Sequence, residues 1–169
     1  MSKKVAFIIA EKMFRDEEYQ VPKEILMKNG IGVLTASTSK VEAIGKLGML
    51  VKPDLLVSEL QLQNLDGVIF IGGLGSEQYF DDLTAHRLAQ EALMQEKLVG
   101  AICIAPVILA RAGVLTGKKA TVYPDGAEDL KQGGADYTAS EVEVCGRIIT
   151  ANGPAAAERF AEELVKLLA

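Results

Sequence analysis

Tryptophan is missing from this chain of 169 residues, histidine occurs once and cysteine twice. The single histidine excludes any site built from two imidazoles. Cys103 and Cys145 form no Cys-x-x-Cys pair, which argues against a metal site such as zinc and against a disulfide framework. That cysteine usage fits a reduced, cytoplasmic setting. Basic residues are in deficit: 18 Lys and Arg face 23 Asp and Glu, for a net charge of −5. No basic stripe is present, so no nucleic-acid partner is expected. Long apolar runs are missing as well. The longest stretch free of charged and strongly polar side chains, Leu98 to Ala110, falls short of the roughly 18–20 residues a spanning helix needs. Lys3 and Lys4 precede an apolar stretch, but Val5 to Ala10 is shorter than the roughly 7–15-residue core of a signal peptide, and Glu11 follows at once. No membrane association is expected, and the stretch reads as a buried strand.

What is present is a chain 49% hydrophobic with 16 glycines. Its length suits one domain, residues 1–169, with a core that needs no staple. Apolar runs recur at Val5–Ile9, Ile31–Ala36, Gly67–Ile71, Val99–Cys103 and Arg147–Ala151. They are continuous rather than alternating, as parallel strands covered on both faces are. Helical stretches lie between them at Glu18–Asn29, Gln78–Lys97 and Pro106–Ala112, and Pro154–Leu168 closes the chain. The segments Val41–Pro53 and Val142–Ile149 look like hairpins. Alternating β and α units predict an open, mostly parallel sheet with helices on both sides.

In such sheets chemistry collects at the carboxyl ends of the strands. Gly72-Gly73-Leu74-Gly75-Ser76 follows the third run. A dinucleotide fingerprint would need a glycine or alanine at position 78, which is Gln78, so that reading fails. The turn fits either an anion or oxyanion cradle of bare amides or a tight turn that needs positive φ. Cys103 follows the fourth run, at an abrupt strand-to-helix turn with Pro106 near the helix start. That is an elbow arrangement, and the helix N-terminus behind it is expected to lower the thiol pKa. A small core residue is the competing reading. Glu18 favours the site. It heads the apolar face formed by Val21, Pro22, Ile25 and Leu26, where a carboxylate is costly unless paired or protonated. Protonated Glu18 beside a Cys103 thiolate is the expected state. Glu17 and Glu24 fall off that face.

These residues resemble the DJ-1/PfpI superfamily nearly end to end. The similarity includes Lys4–Ala10, Asp16–Pro22 around Glu18, Asp66–Gly73, and Gly100–Pro106 as Gly-Ala-Ile-Cys-Ile-Ala-Pro. It continues through Arg111–Leu115, Tyr123-Pro124 and Asn152-Gly153-Pro154. The resemblance implies a flavodoxin-like α/β/α sandwich, with Cys103 as reactive thiol and Glu18 as its acid. The amides of Gly73 and Ile104 would line an oxyanion site, and many members are homodimers or higher oligomers. The chain departs from the pattern at two points. PfpI-type members have a histidine just after the cysteine, where this chain has Ile104. DJ-1-type members have one in the segment matching Val122-Tyr123-Pro124, where this chain has Tyr123. His86 gains no site role from the resemblance, and an amidotransferase would need a downstream His-x-Glu that is absent.

Two functions are therefore weighed. One is a cofactor-free cysteine enzyme for small electrophilic carbonyls of the glyoxalase or deglycase kind, with Glu18 as proton shuttle and no peptidase activity. The other is a non-enzymatic redox-sensing or chaperone-type stress protein that uses oxidation of Cys103. Gly72 is a pocket candidate, and Tyr123 reads equally as a pocket residue or a packed aromatic. Arg15 reads as a solvated loop arginine with an anionic substrate as the competing role, and Cys145 is read as structural.

Overall fold

Strands buried on both faces have no solvent side to mark with polar residues, and the apolar runs form such a sheet. The computed structural model describes residues 2–169. Its strands are β1 (Lys4–Ile8), β2 (Lys12–Phe14), β3 (Gly32–Ser37), β4 (Ala43–Gly45), β5 (Leu50–Val51) and β6 (Leu55–Leu56). The second half adds β7 (Gly67–Phe70), β8 (Leu98–Ile102), β9 (Lys119–Ala120), β10 (Asp136–Tyr137), β11 (Val142–Cys145) and β12 (Ile148–Ala151). The helices are α1 (Asp16–Lys28), α2 (Leu83–Met94), α3 (Pro106–Arg111), α4 (Ala127–Gln132) and α5 (Ala157–Leu168).

Seven strands make the central sheet in the order β11-β12-β8-β7-β1-β3-β6. All neighbours are parallel except the edge pair β11–β12. Side chains alternate between two cores. Val5, Phe7 and Ile9 join Ile69, Ile102 and the α5 residues Phe160 and Leu164 on one face. Ala6, Ile8, Val68, Phe70, Val99 and Ala101 pack under α2 and α3 on the other. The expected sandwich is the observed one.

The chain winds from β1 to β3 and β6, then returns to β7, β8 and β12 on the opposite side. The reversal lies between β1 and β7, where open sheets leave a crevice at their carboxyl ends. The segments that follow β1, β7 and β8 carry Glu18, Gly72-Gly73 and Cys103.

Some boundaries differ from the sequence reading. The stretch expected as one helix over Gln78–Lys97 divides into a 3-10 turn, Leu74–Tyr79, and α2. Asp82 is the reason: its carboxylate caps α2 by accepting the Ala85 N–H at 3.0 Å. Both hairpins form, β4–β5 and β11–β12. The short elements β2, β6, β9, β10 and α4 carry too few apolar residues to produce a period.

Candidate active site

Strand β8 ends at Ile102, and the next residue turns left-handed: Cys103 has φ +66°. That conformation costs an L-residue roughly 1–2 kcal/mol, so the surroundings must enforce it. The Cys103 N–H donates to the Ala151 carbonyl at 2.8 Å, and the Cys103 carbonyl accepts the Tyr123 N–H at 2.7 Å. The sulfur thus stands at the tip of a strand with both backbone groups pinned. The amides of Gly73 and Ile104 face it. The Ile104 side chain turns away, towards Gly126 and the core beneath α2 and α3. Only its N–H belongs to the site.

Glu18 arrives from the first turn of α1 and is fully buried. Gly72 is the wedge between it and the thiol. A Cβ on Gly72 would lie 2.6 Å from the Cys103 Cβ, 2.6 Å from Glu18 Oε1 and 2.5 Å from the Ile102 carbonyl oxygen. No side chain fits there. The Cys103 thiol and the Gly72 amide face the carboxyl, yet neither Glu18 oxygen has a partner at hydrogen-bonding geometry. Burial pushes the Glu18 pKa up to about 8, so the acid is protonated at neutral pH.

The thiol departs from expectation. Burial first, and then the Glu18 carboxylate when charged, push the Cys103 pKa up to about 12. The opposing pull of the Gly73 and Ile104 amides is smaller. The helix behind the elbow, α3, is only six residues long, and its dipole does not outweigh desolvation. At neutral pH the pair holds both protons. Keeping Glu18 protonated removes the like-charge repulsion that an ionised sulfur would meet.

Gly73 adopts φ +100°, and a Cβ on it would strike the Met13 carbonyl oxygen and lie 2.6 Å from the Arg15 nitrogen. Its own carbonyl accepts from the Ser76 backbone N–H at 3.0 Å and from the Ser76 hydroxyl at 2.8 Å. Arg15 donates its backbone N–H to the Gly72 carbonyl at 2.9 Å. The Arg15 guanidinium pairs with Glu17 at 2.6 Å, and its charge also acts on Glu18 and Cys103. Tyr123 is tied to the elbow through its backbone and is 43% exposed as a residue. His86 lies on α2, its ring nitrogen 2.7 Å from the Phe80 carbonyl oxygen. Cys145 ends β11 at the hairpin turn.

The sequence profile of the DJ-1/PfpI family matches residues 3–167. The chain belongs to the DJ-1/PfpI family. A Methanocaldococcus jannaschii protein whose name assigns no activity is 39% identical, covering 98% of this chain and 82% of its own length. A deglycase of Pyrococcus horikoshii is 33% identical over 98% of this chain and 99% of its own. The crystal structure of a ThiJ/PfpI domain protein from Brachyspira murdochii superposes with a TM-score of 0.97 at 33% identity, over 99% of this chain and 96% of that one. Within this DJ-1/PfpI chain, no helix among the described residues is long and apolar enough to cross a membrane.

Sequence reasoning missed two residues that shape this region. Met13 is left-handed at φ +63°, at a bulge where the β2–β4 register shifts between Lys12 and Phe14. No local signal marks it. Asp16 is buried and accepts the Leu47 and Met49 N–H groups at 2.8 and 2.9 Å. It clamps the β4–β5 hairpin to the start of α1. Its sequence signal, an acid in the first turn, is shared with Glu17 and Glu18.

Proposed function

We propose that this protein is a cysteine-dependent enzyme for small reactive carbonyl compounds that works without a cofactor. The Glu18 carboxyl carries the reading: it is buried and protonated, and the only donors that face it are the Cys103 thiol and the Gly72 amide, neither at full hydrogen-bonding geometry. Such a carboxyl passes protons in both directions at once. As sulfur attacks an aldehyde carbon, one Glu18 oxygen takes the thiol proton while the other gives its proton to the carbonyl oxygen. The Gly73 and Ile104 amides stabilise negative charge on that oxygen during the transfer. The product is a neutral hemithioacetal, so no free thiolate has to exist beforehand.

With a 2-oxoaldehyde the hemithioacetal goes further. Glu18 gives its proton to the neighbouring ketone oxygen while its other oxygen takes the hydrogen on the former aldehyde carbon as a proton, leaving an enediol. It then returns that proton to the neighbouring carbon while taking the hydroxyl proton from the sulfur-bearing carbon. This gives a thioester of a 2-hydroxy acid, with Glu18 again protonated. Water then cleaves the thioester and restores the thiol. Oxidation of one carbon balances reduction of its neighbour, so the sequence consumes only water. The deglycase name of the Pyrococcus horikoshii relative supports carbonyl chemistry of this kind. Peptide hydrolysis is a poorer fit, because an acid must protonate the leaving amine and no imidazole stands near Cys103.

Methylglyoxal turnover by the repurified protein, abolished in Cys103→Ser and kept in Cys145→Ser, is the expected result. Equal rates in the parent and Cys103→Ser would overturn the assignment. The same buried, protonated Glu18 beside the thiol favours one second reading, a redox sensor. Peroxide would convert the thiol to a sulfinate that accepts the Glu18 proton. Peptide mass mapping after mild peroxide, with no methylglyoxal turnover and Cys103 modified before Cys145, would select it.

A further inference from the structure

The Gly-rich turn does more than present an amide to sulfur. One residue beyond Gly73, about 3.8 Å along the chain, Leu74 projects with 68% of its surface exposed. Leu74 lines a groove of about 450 Å³ together with Met13, Gly75, Gln78, Glu11 and Lys12. The groove is built rather than incidental. A Cβ at Gly75 would run into the Lys12 carbonyl oxygen, so only glycine lets the Leu74 segment close onto β2. Met13 lines the same groove 39% exposed, from a left-handed backbone position that ordinary strand geometry avoids. Two non-glycine residues with positive φ, Met13 and Cys103, therefore flank one Gly72-Gly73 turn. Held strain of this kind gathers at functional sites.

Of the three polar side chains in the groove, Gln78 and Glu11 are already engaged, while the Lys12 ammonium has no hydrogen bond or ion pair among the described residues. The Gln78 amide accepts the Glu11 N–H at 3.0 Å and donates to the Thr38 hydroxyl at 2.9 Å. The Glu11 carboxylate accepts the Thr38 hydroxyl proton at 2.8 Å. A hydroxyl-rich ligand would find these partners taken, whereas an apolar group would cover two exposed apolar side chains.

We propose that Met13 and Leu74 form the wall that selects the non-reacting end of the electrophile. The site then takes small carbonyl compounds bearing an alkyl or aryl group in preference to hydroxylated, sugar-like ones. The inference rests on the proposed carbonyl chemistry for its substrate class, but its test does not require turnover.

On a Cys145→Ser background, the second-order rate of Cys103 alkylation is measured with N-ethylmaleimide and N-cyclohexylmaleimide. The ratio of the two rates is normalised to that of glutathione. Burial of the extra carbons is expected to raise the ratio about tenfold, and Leu74→Asn and Met13→Gln should each return it towards that of glutathione. Leu83→Asn, at a leucine 74% exposed on α2, should leave it unchanged. A parent ratio equal to that of glutathione would overturn the proposal. So would a raised ratio that survives both variants, or a carboxylated maleimide reacting fastest, which would assign the groove to Lys12. In turnover, phenylglyoxal should exceed glyoxal in kcat/KM, and Leu74→Asn should narrow the gap. A raised maleimide ratio without turnover would keep the wall and discard the enzyme.

Discussion

Two acids in the first turn of α1 are both buried, and their surroundings give them opposite uses. Asp16 has an amide donor on each carboxyl oxygen, from Leu47 and Met49, and fastens a hairpin to a helix. Glu18, half a turn further on, has no partner at hydrogen-bonding geometry on either oxygen and keeps its proton at neutral pH. Burial therefore does not by itself define a site. A buried carboxyl supplied with donors is a fastener, and one held without them is a proton in waiting. Helix geometry contributes as well. Pro22, inside α1, lacks the N–H that would bond the Glu18 carbonyl, so the helix ladder misses one bond at the turn that holds the acid.

The strongest way to break this comparison is Glu18→Gln. The variant keeps size and a donor but cannot relay protons, so turnover should fall about a hundredfold or more, with little loss of stability. A drop below about threefold, far short of what positioned proton transfer contributes, would make Glu18 a second fastener. Next in size is Asp16→Ala, which strands two amide donors. Urea unfolding should show a loss of about 2 kcal/mol, while the Cys103 alkylation rate changes little. If reactivity collapses with no loss of stability, the two acids have been assigned the wrong way round.

The comparison is also sharpened through pH. Glu18 has its pKa raised by folding, so the native state holds a proton that the unfolded chain has lost. Its contribution makes stability fall as pH rises from about 4.5 to about 8 and level off above that. Subtracting the unfolding curve of Glu18→Gln from that of the parent isolates this slope. A flat difference between those limits would mean that the carboxyl ionises as freely in the fold as out of it.

Much of this is legible in the sequence. Continuous apolar runs located the central strands, because strands covered twice need no alternation. The break in the helical stripe at Glu18 and the elbow at Cys103 located the acid and the thiol. The thiol's electrostatics were misjudged, because sequence shows that a helix follows Cys103 but not that it is six residues long or how deeply the sulfur lies. Asp16 went unseen for a related reason: its donors come from a hairpin some thirty residues on, and first-turn acids look alike in sequence. Met13 depends on a shift in strand register, which leaves no trace in composition or period.

The left-handed backbone at Cys103 also limits what evolution can place there. Branching at Cβ is poorly tolerated where φ is positive, so threonine, valine and isoleucine are poor replacements. Serine keeps the shape, and glycine would relieve the strain. A lineage descending from this protein can thus exchange sulfur for oxygen, or give up the side chain and gain ease of folding, through a single substitution. An alternative nucleophile with a branched side chain would require the backbone to be rebuilt first. The elbow holds the sulfur in place, and it also decides which neighbouring proteins in sequence space remain reachable.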